Sequence, residues 1–68
     1  MSQLSVRNQQ LRNRFNAVMS DNGLKLVWAT GRMQLKNTSV SSWRGVQGFN
    51  FGDEKLDIIE DFVKGYEK

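Results

Sequence analysis

The sequence predicts an all-α domain of four to five short helices packed around one core. Apolar residues recur at helical spacing in residues 5–20 and again in residues 53–64. Leu, Ile, Val and Phe make up 18 of the 68 residues, which is above the range typical of disordered chains. The chain has no Cys and no His, so neither disulfides nor zinc can support so small a core. Stability must come from compact packing, completed where needed by a second subunit.

The first predicted helix runs from Ser5, a candidate N-cap, to about Ser20. Its apolar face is formed by residues at steps of seven, four and three: Leu4, Leu11, Phe15 and Val18. Its polar residues are expected to face water: Arg7, Asn8, Gln9, Gln10 and Arg14. The helix is expected to stop at Asp21-Asn22-Gly23, because Gly and Asn tolerate the left-handed conformation found at helix ends.

Residues 24–33 are open to two interpretations. The stretch LKLVW alone could form a buried strand. A short helix is preferred because no nearby segment offers a partner strand, although Gly31 costs that helix up to about 1 kcal/mol. A third helix, capped by Asn37 or Thr38, follows, with Val40 and Trp43 on one side and serines on the other. Helix stability does not explain these serines, because serine is a mediocre helix former.

The last predicted helix, Asp53 to about Lys64, is strongly amphipathic and ends at Gly65. Its apolar residues are Leu56, Ile59, Phe62 and Val63, and its outward residues are Asp57, Glu60 and Asp61. Before it, residues 46–52 form a loop whose Phe49 and Phe51 either pack under the core or form a contact surface.

Charge divides the chain into two parts of opposite sign. Residues 1–52 carry seven Lys or Arg and one Asp, a net charge of +6, whereas residues 53–68 carry three Lys and six Asp or Glu, a net charge of −3. This asymmetry suits a polyanion held on one face and repelled from another. The alternative is a solvated surface whose charge varies by chance.

The composition argues against an enzyme. Without His or Cys, no side chain has an ordinary pKa near neutrality, and the serines lack a base to activate them. The carboxylates of Asp57, Glu60 and Asp61 are expected to be solvated, and the glycines do not follow the order of a P-loop. We expect no catalytic residue, no metal, no cofactor and no small-molecule substrate.

The segment ATGRMQLKNTSVSSWRG, residues 29–45, has a characteristic spacing. Thr30 is the small residue, and Met33 and Leu35 are apolar residues on either side of the turn residue Gln34. Val40 and Trp43 are the two apolar positions that follow. This spacing resembles the helix-turn-helix of the lambdoid phage Cro and repressor family, and in outline the resemblance covers residues 11–63. It implies a lambda-repressor-like domain whose second helix of the pair lies in the major groove of DNA, which admits one helix.

The segment departs from the family at three places. Gln34 occupies the turn position where the family commonly has Gly, so that Gln34 takes an uncommon backbone conformation or the turn differs. Thr30, with Gly31 beside it, occupies the position where the family usually has Ala. The loop after Trp43 lacks the family's usual Pro.

The resemblance implies roles for eight residues. Four would point from the recognition helix toward base edges: Asn37, Thr38, Ser41 and Ser42. Four would contact phosphates: Lys25, Arg32, Lys36 and Arg44. Each of these could instead be an ordinary solvent-exposed residue. For Trp43, packing in the core is favoured over stacking on a base, while Trp28 and Phe49 are expected in the core or a dimer contact.

The predicted function is therefore a transcriptional regulator, a repressor of phage or mobile-element type, that binds a double-stranded operator. One short recognition helix covers few base pairs, so we expect a homodimer with half-sites about 34–36 Å apart. The loop at residues 46–51 and the last helix are both candidates for its interface, and the sequence does not choose between them. The sequence has no apolar run long enough to span a bilayer and no secretory signal, so we expect no membrane association. We expect the protein in the bacterial cytoplasm or nucleoid, which is that of the host cell if a phage encodes it.

The alternative is a small protein-binding inhibitor or adaptor, such as a phage-encoded blocker of a host protein. It would use the acidic last helix or the aromatic residues Phe49 and Phe51.

Overall fold

The computed structural model describes residues 3–45 and 49–67, which form four helices: α1 (Gln3–Asp21), α2 (Leu26–Met33), α3 (Asn37–Gly45) and α4 (Asp53–Lys64). Within these residues there is no strand, so the predicted all-α class is confirmed. The stretch LKLVW leads into α2 instead of forming a strand. Helix α1 packs against α3 and α4, and α2 packs against the same two helices.

The core draws on all four helices and on the loop before α4. Its centre is the Trp43 ring, which meets Phe15 edge-on and stacks on Phe51. The predicted apolar faces of the first and last helices are buried, except that Leu4 is exposed and Phe62 is half-buried. The buried apolar residues are Leu11, Phe15, Val18, Met19, Ala29, Met33, Val40, Trp43, Phe51, Leu56, Ile59 and Val63.

Helices α1 and α2 end in the same way, with a residue in the left-handed region. After α1 this residue is Gly23, with φ of 60°, as the sequence predicts. After α2 it is Gln34, with φ of 58° and ψ of 38°. In both turns the left-handed residue donates to the carbonyl three residues back, and the next residue donates to the carbonyl five back, the pattern of a Schellman motif. Gln34 thus keeps the turn by adopting the uncommon conformation.

The predicted N-caps of the first and third helices are wrong. Ser5 lies inside α1, which already includes Gln3, so it is not the N-cap. Helix α3 begins at Asn37, and the Lys36 carbonyl accepts the bond from the Val40 amide at 3.1 Å. Asn37 and Thr38 are therefore within the first turn and do not precede it as caps. Residues 46–48 of the predicted loop lie outside the described residues.

Asn8 corrects the predicted polar face of the first helix, because its side chain is completely buried. Its amide nitrogen donates to the carbonyls of Leu4 and Phe51, at 2.8 and 3.1 Å. Its amide oxygen accepts from the Trp43 indole and the Phe51 amide, both at 2.9 Å. Every hydrogen-bonding site of the amide is used, so Asn8 joins α1, α3 and the loop at low cost despite burial.

Candidate nucleic-acid interface

Helices α2 and α3, with the connection at residues 34–36, form a compact pair that we call the α2–α3 unit. Ala29 and Thr30 of α2 are buried, as are Val40 and Trp43 of α3. The Thr30 hydroxyl donates to the Val27 carbonyl at 3.1 Å, so a threonine can occupy this buried position without an unsatisfied hydroxyl. The apolar spacing predicted for this segment is thus the inner face of the unit.

The outer face of α3 is polar and open. It consists of the four predicted base-contact residues, Asn37, Thr38, Ser41 and Ser42, all of which are exposed. Their spacing along the helix places them opposite Val40 and Trp43. Within residues 3–45 and 49–67, none of the four side chains makes a hydrogen bond, so their donors and acceptors are free for a ligand. We call these four residues the α3 polar face.

The predicted phosphate contacts surround this unit but differ in environment. Lys25 precedes α2 and Lys36 precedes α3, and both are exposed. The Arg32 guanidinium lies 5.6 Å from the centre of the Trp28 ring, on the side of α2 that faces α4. The Arg44 side chain is half-buried, with its guanidinium 5.6 Å from the centre of the Phe15 ring. In the described part of the chain, none of the four is ion-paired with a carboxylate.

Three acidic residues of α4 lie where α4 packs against α1, whereas Asp61 lies at the junction with α2. Arg7 forms ion pairs with three carboxylates, those of Asp53, Asp57 and Glu60. These contacts raise the pKa of Arg7 above its usual value. Lys64 and, to a smaller extent, Arg7 lower the pKa of Glu60. The +6 charge of residues 1–52 is therefore not spread over one basic face.

Arg14 is neutralised in the same region. Its guanidinium donates to both carboxylate oxygens of Glu67, and this contact raises the pKa of Arg14 and lowers that of Glu67. Among the described residues, most basic side chains without a carboxylate partner lie in residues 25–45, which carry four Lys or Arg and no Asp or Glu. The ion pairs of Arg7 and Arg14 thus neutralise basic residues of α1 and leave those of residues 25–45 without a carboxylate partner among the described residues.

Two polar side chains of α1, those of Arg12 and Asn16, hold the C-terminal end of α3. Arg12 is buried and donates from Nε to the Trp43 carbonyl at 2.6 Å and from Nη2 to the Phe49 carbonyl at 2.6 Å. The Asn16 amide nitrogen donates to the Arg44 carbonyl at 3.2 Å. Because the last carbonyls of a helix lack partners within it, Arg12 and Asn16 complete the C-terminal end of α3, and the positive charge suits that end of the helix dipole.

Sequence reasoning missed this network, although a signal was present. Asn8 and Arg12 are four residues apart and lie at helical spacing from Phe15, on the stripe that carries the buried residues of α1. A polar residue on an apolar stripe is either exposed or hydrogen-bonded inside the core. Only the long-range partners decide between these outcomes.

The aromatic residues separate into core and surface. Trp43 is fully buried, which confirms its predicted packing role, and Phe51 is buried beside it. Phe49 is 38% exposed and Trp28 is 44% exposed. The Trp28 ring meets Phe62 and Tyr66 edge-on, at centroid distances of 6.1 and 6.4 Å. Trp28 is therefore a surface residue at the α2–α4 junction.

The described residues contain no group of three or more acidic side chains placed to hold a metal ion. None of the helices in that part of the chain has the length and apolar character required to cross a bilayer. No protein-family model, curated protein or solved structure matches this chain.

Proposed function

We propose that this chain is a sequence-specific double-stranded DNA-binding protein, a transcriptional repressor of phage or mobile-element type. In this proposal α3 enters the major groove of an operator. The protein acts in the bacterial cytoplasm or nucleoid, which is that of the host cell if a phage encodes it. The observation that carries the proposal is the α3 polar face, which is exposed and makes no side-chain hydrogen bond to any other described residue, on a helix held by Arg12 and Asn16 of α1. A nine-residue helix fits the groove, which is about 12 Å wide.

The chemistry of this face suits direct readout of bases. Asn37 can pair in a bidentate manner with adenine, and the methyl group of Thr38 can contact the methyl group of thymine. Ser41 and Ser42 donate to or accept from either kind of base pair. The α3 polar face contains no Arg or Lys, the residues that most often read guanine, so we expect a half-site rich in A·T pairs at its centre.

The charges suit contact with the phosphate backbone around that groove. Lys25 and Lys36 lie at the N-terminal ends of α2 and α3, where the helix dipole also favours an anion. Arg32 and Arg44 belong to the same segment and are the remaining phosphate candidates. The paired carboxylates of α4 lie where α4 packs on α1, a contact separate from the α2–α3 unit. We propose a homodimer on the operator, because two half-sites together multiply the specificity of one short helix.

Selection of bound duplexes from a random library tests the proposal directly. We expect a recovered motif with two-fold symmetry and an affinity that falls steeply as the salt concentration rises. Failure to bind duplex DNA at low salt would reject the proposal.

Two lysine variants separate a specific interface from general attraction. Lys36→Ala should weaken binding to all duplexes by a similar factor and reduce the salt dependence by about one phosphate per subunit. Lys64→Ala removes the same charge from the exposed C-terminal end of α4. Equal effects of the two variants would show that charge alone, and not the α2–α3 unit, directs the binding.

The alternative, a small protein-binding inhibitor or adaptor, retains less support. Phe51 is buried, and three carboxylates of α4 are held by Arg7, so part of the surface predicted for such a partner is already occupied. What favours this alternative is the exposed aromatic cluster around Trp28. Recovery of one host protein in a pull-down after nuclease treatment, without DNA binding, would support it over the repressor.

A further inference from the structure

One continuous surface between α2 and α4 combines apolar residues with unpaired charges. We call it the α2–α4 face and define it by six residues: Trp28, Arg32, Ile58, Asp61, Phe62 and Tyr66. The three aromatic rings are in mutual contact, and the Arg32 guanidinium lies over the Trp28 ring. Arg32, Ile58, Asp61 and Phe62 line one open depression of about 450 Å³ beside the turn residue Gln34. Trp28 and Ile58 are 44% and 37% exposed, so this apolar surface faces solvent.

This face carries one charge of each sign, on Arg32 and Asp61. Arg32 and Asp61 line the same depression, yet they form no ion pair with each other. In the part of the chain that the structure describes, neither has any other ionic partner within 4.0 Å. By contrast, Arg7 and Arg14 both have carboxylate partners. The α2–α4 face thus offers one free positive and one free negative charge beside an exposed aromatic cluster.

We propose that the α2–α4 face is the surface through which two copies of this chain associate about a two-fold axis. Arg32 of each copy pairs with Asp61 of the partner subunit, and Trp28 and Ile58 form the apolar centre of the contact. The inference names the interface of the homodimer and in that respect rests on the proposed function.

A second copy fits this surface better than a partner of one charge sign. A two-fold interface brings together the same patch of two copies of the chain. Each charged residue in the contact therefore needs a residue of opposite charge on that same patch. A purely acidic partner would place a negative charge against Asp61, and a purely basic partner would place a positive charge against Arg32. Helix α1 also has exposed apolar residues, Leu4 and Val6. The charged residue next to them in the sequence is Arg7, which already has carboxylate partners and so offers no free charge to a second copy.

The position of this face also leaves the α3 polar face free. The contact uses α2 and α4 and ends beside Gln34, so Asn37, Thr38, Ser41 and Ser42 of both copies stay exposed. Arg32 then has a carboxylate partner across the interface, which leaves Lys25, Lys36 and Arg44 as the phosphate contacts. The proposed interface includes Asp61 and Phe62 of the last helix.

Sedimentation equilibrium of the full chain without DNA tests the inference independently of the proposed function. Six apolar and charged residues form a small patch, and small interfaces are weak, so we expect a dimer with a dissociation constant in the micromolar range. Arg32→Asp and Asp61→Arg should each raise that constant by about tenfold or more, because each change places like charges opposite each other twice in the symmetric contact. The double variant, Arg32→Asp with Asp61→Arg, should restore dimerisation.

Two further variants address the apolar centre. Trp28→Ala should weaken the dimer at least as much as either charge change, since large aromatic residues dominate small interfaces. Val6→Ser, at a comparably exposed position on α1, should leave the dimer unchanged. Circular dichroism of each variant confirms that it is folded, and the exposure of Arg32 and Asp61 makes this the expected result.

Three results would overturn the inference. They are a chain that stays monomeric up to ~1 mM, a dimer unaffected by Trp28→Ala, or a double charge variant no better than the single ones. A monomeric chain that still binds an operator half-site would reject this interface and leave the proposed function standing. A dimer that shows the predicted charge dependence but binds no duplex DNA would support this interface and reject the proposed function.

Discussion

Arg12 gives the sharpest test of how α3 is held against the rest of the molecule. Its guanidinium is buried between α1, α3 and the loop, 5.4 Å from the centre of the Trp43 ring. Replacement by Met keeps much of the apolar volume of the side chain but removes all of its hydrogen bonds. The carbonyls of Trp43 and Phe49 then lose their 2.6 Å partners, and the Gln9 amide oxygen loses a bond of 3.0 Å.

The size of the expected effect follows from these contacts. A hydrogen bond to a charged group contributes about 1.5–3 kcal/mol, and a buried group left without a partner costs a similar amount. The bond to Trp43 is buried and the bond to Phe49 is partly buried, so the lower end of that range applies to the second. We expect Arg12→Met to lower the free energy of unfolding by about 3 kcal/mol. For a domain of this size the melting temperature should fall by roughly 12 °C or more.

Urea and thermal unfolding, followed by circular dichroism, measure this difference. Arg14→Met is the matched control, because it makes the same substitution two residues along the same helix. The ion pair of Arg14 with Glu67 is partly exposed to solvent, and such pairs contribute little to stability. If the two variants were equally stable, the buried contacts of Arg12 would not be what holds α3.

Three further predictions concern the turn, the pH dependence and base recognition. Gln34→Gly should raise the free energy of unfolding by up to about 1 kcal/mol, since relief of the left-handed conformation exceeds the added chain entropy of glycine. Stability should be constant from pH 7 to about 5 and should fall below about 4.3, because the lowered pKa values of Glu60 and Glu67 stabilise the fold only while both are ionised. Asn37→Ala should reduce discrimination at one A·T position of the operator by about 1–3 kcal/mol, as measured by competition with point-substituted duplexes.

Each of these predictions has a control within the chain. Gly23→Ala should destabilise by about 1 kcal/mol, opposite in sign to Gln34→Gly, because no neighbour contacts the added Cβ and only the positive φ opposes it. Glu67→Gln should reduce the loss of stability in acid, and an unchanged acid profile would argue against the Arg14 contact. An Asn37→Ala protein that discriminates every operator position as before would remove Asn37 from the α3 polar face as a reader of bases.

Local patterns in the sequence were sufficient for most of the secondary structure. The apolar spacing of residues 53–64 predicts α4 because one face of a helix must be buried, and Gly23 predicts the end of α1 because its backbone tolerates a positive φ. Trp43 was likewise assigned correctly to the core, because it stands at a core position of the family that the segment resembles. The start of α1 was not predicted correctly, since Ser5 has the chemistry of a cap but lies within the helix.

Long-range contacts decided what local patterns could not. Asn8 was expected in water but is buried, because the Trp43 indole and the backbone of Phe51 supply its partners from 35 and 43 residues away. Arg7 was counted in the basic part of the chain, yet it is bound by carboxylates of α4, 46 residues or more away. No window of neighbouring residues contains these partners.

The sequence by itself determined the helical class and the apolar spacing of the α2–α3 unit, because each depends on a period of 3.6 residues or on one residue's conformational preference. The roles of the four residues on the α3 polar face follow from the family resemblance and stay a prediction. Only the tertiary structure decided which charges are free. Packing α1 against α4 pairs Arg7 and Arg14 with carboxylates, whereas Lys25 and Lys36, at the N-terminal ends of α2 and α3, have no ion pair among the described residues. Net charge is a property of composition, whereas the field around a surface depends on which opposite charges the fold brings within a few ångströms.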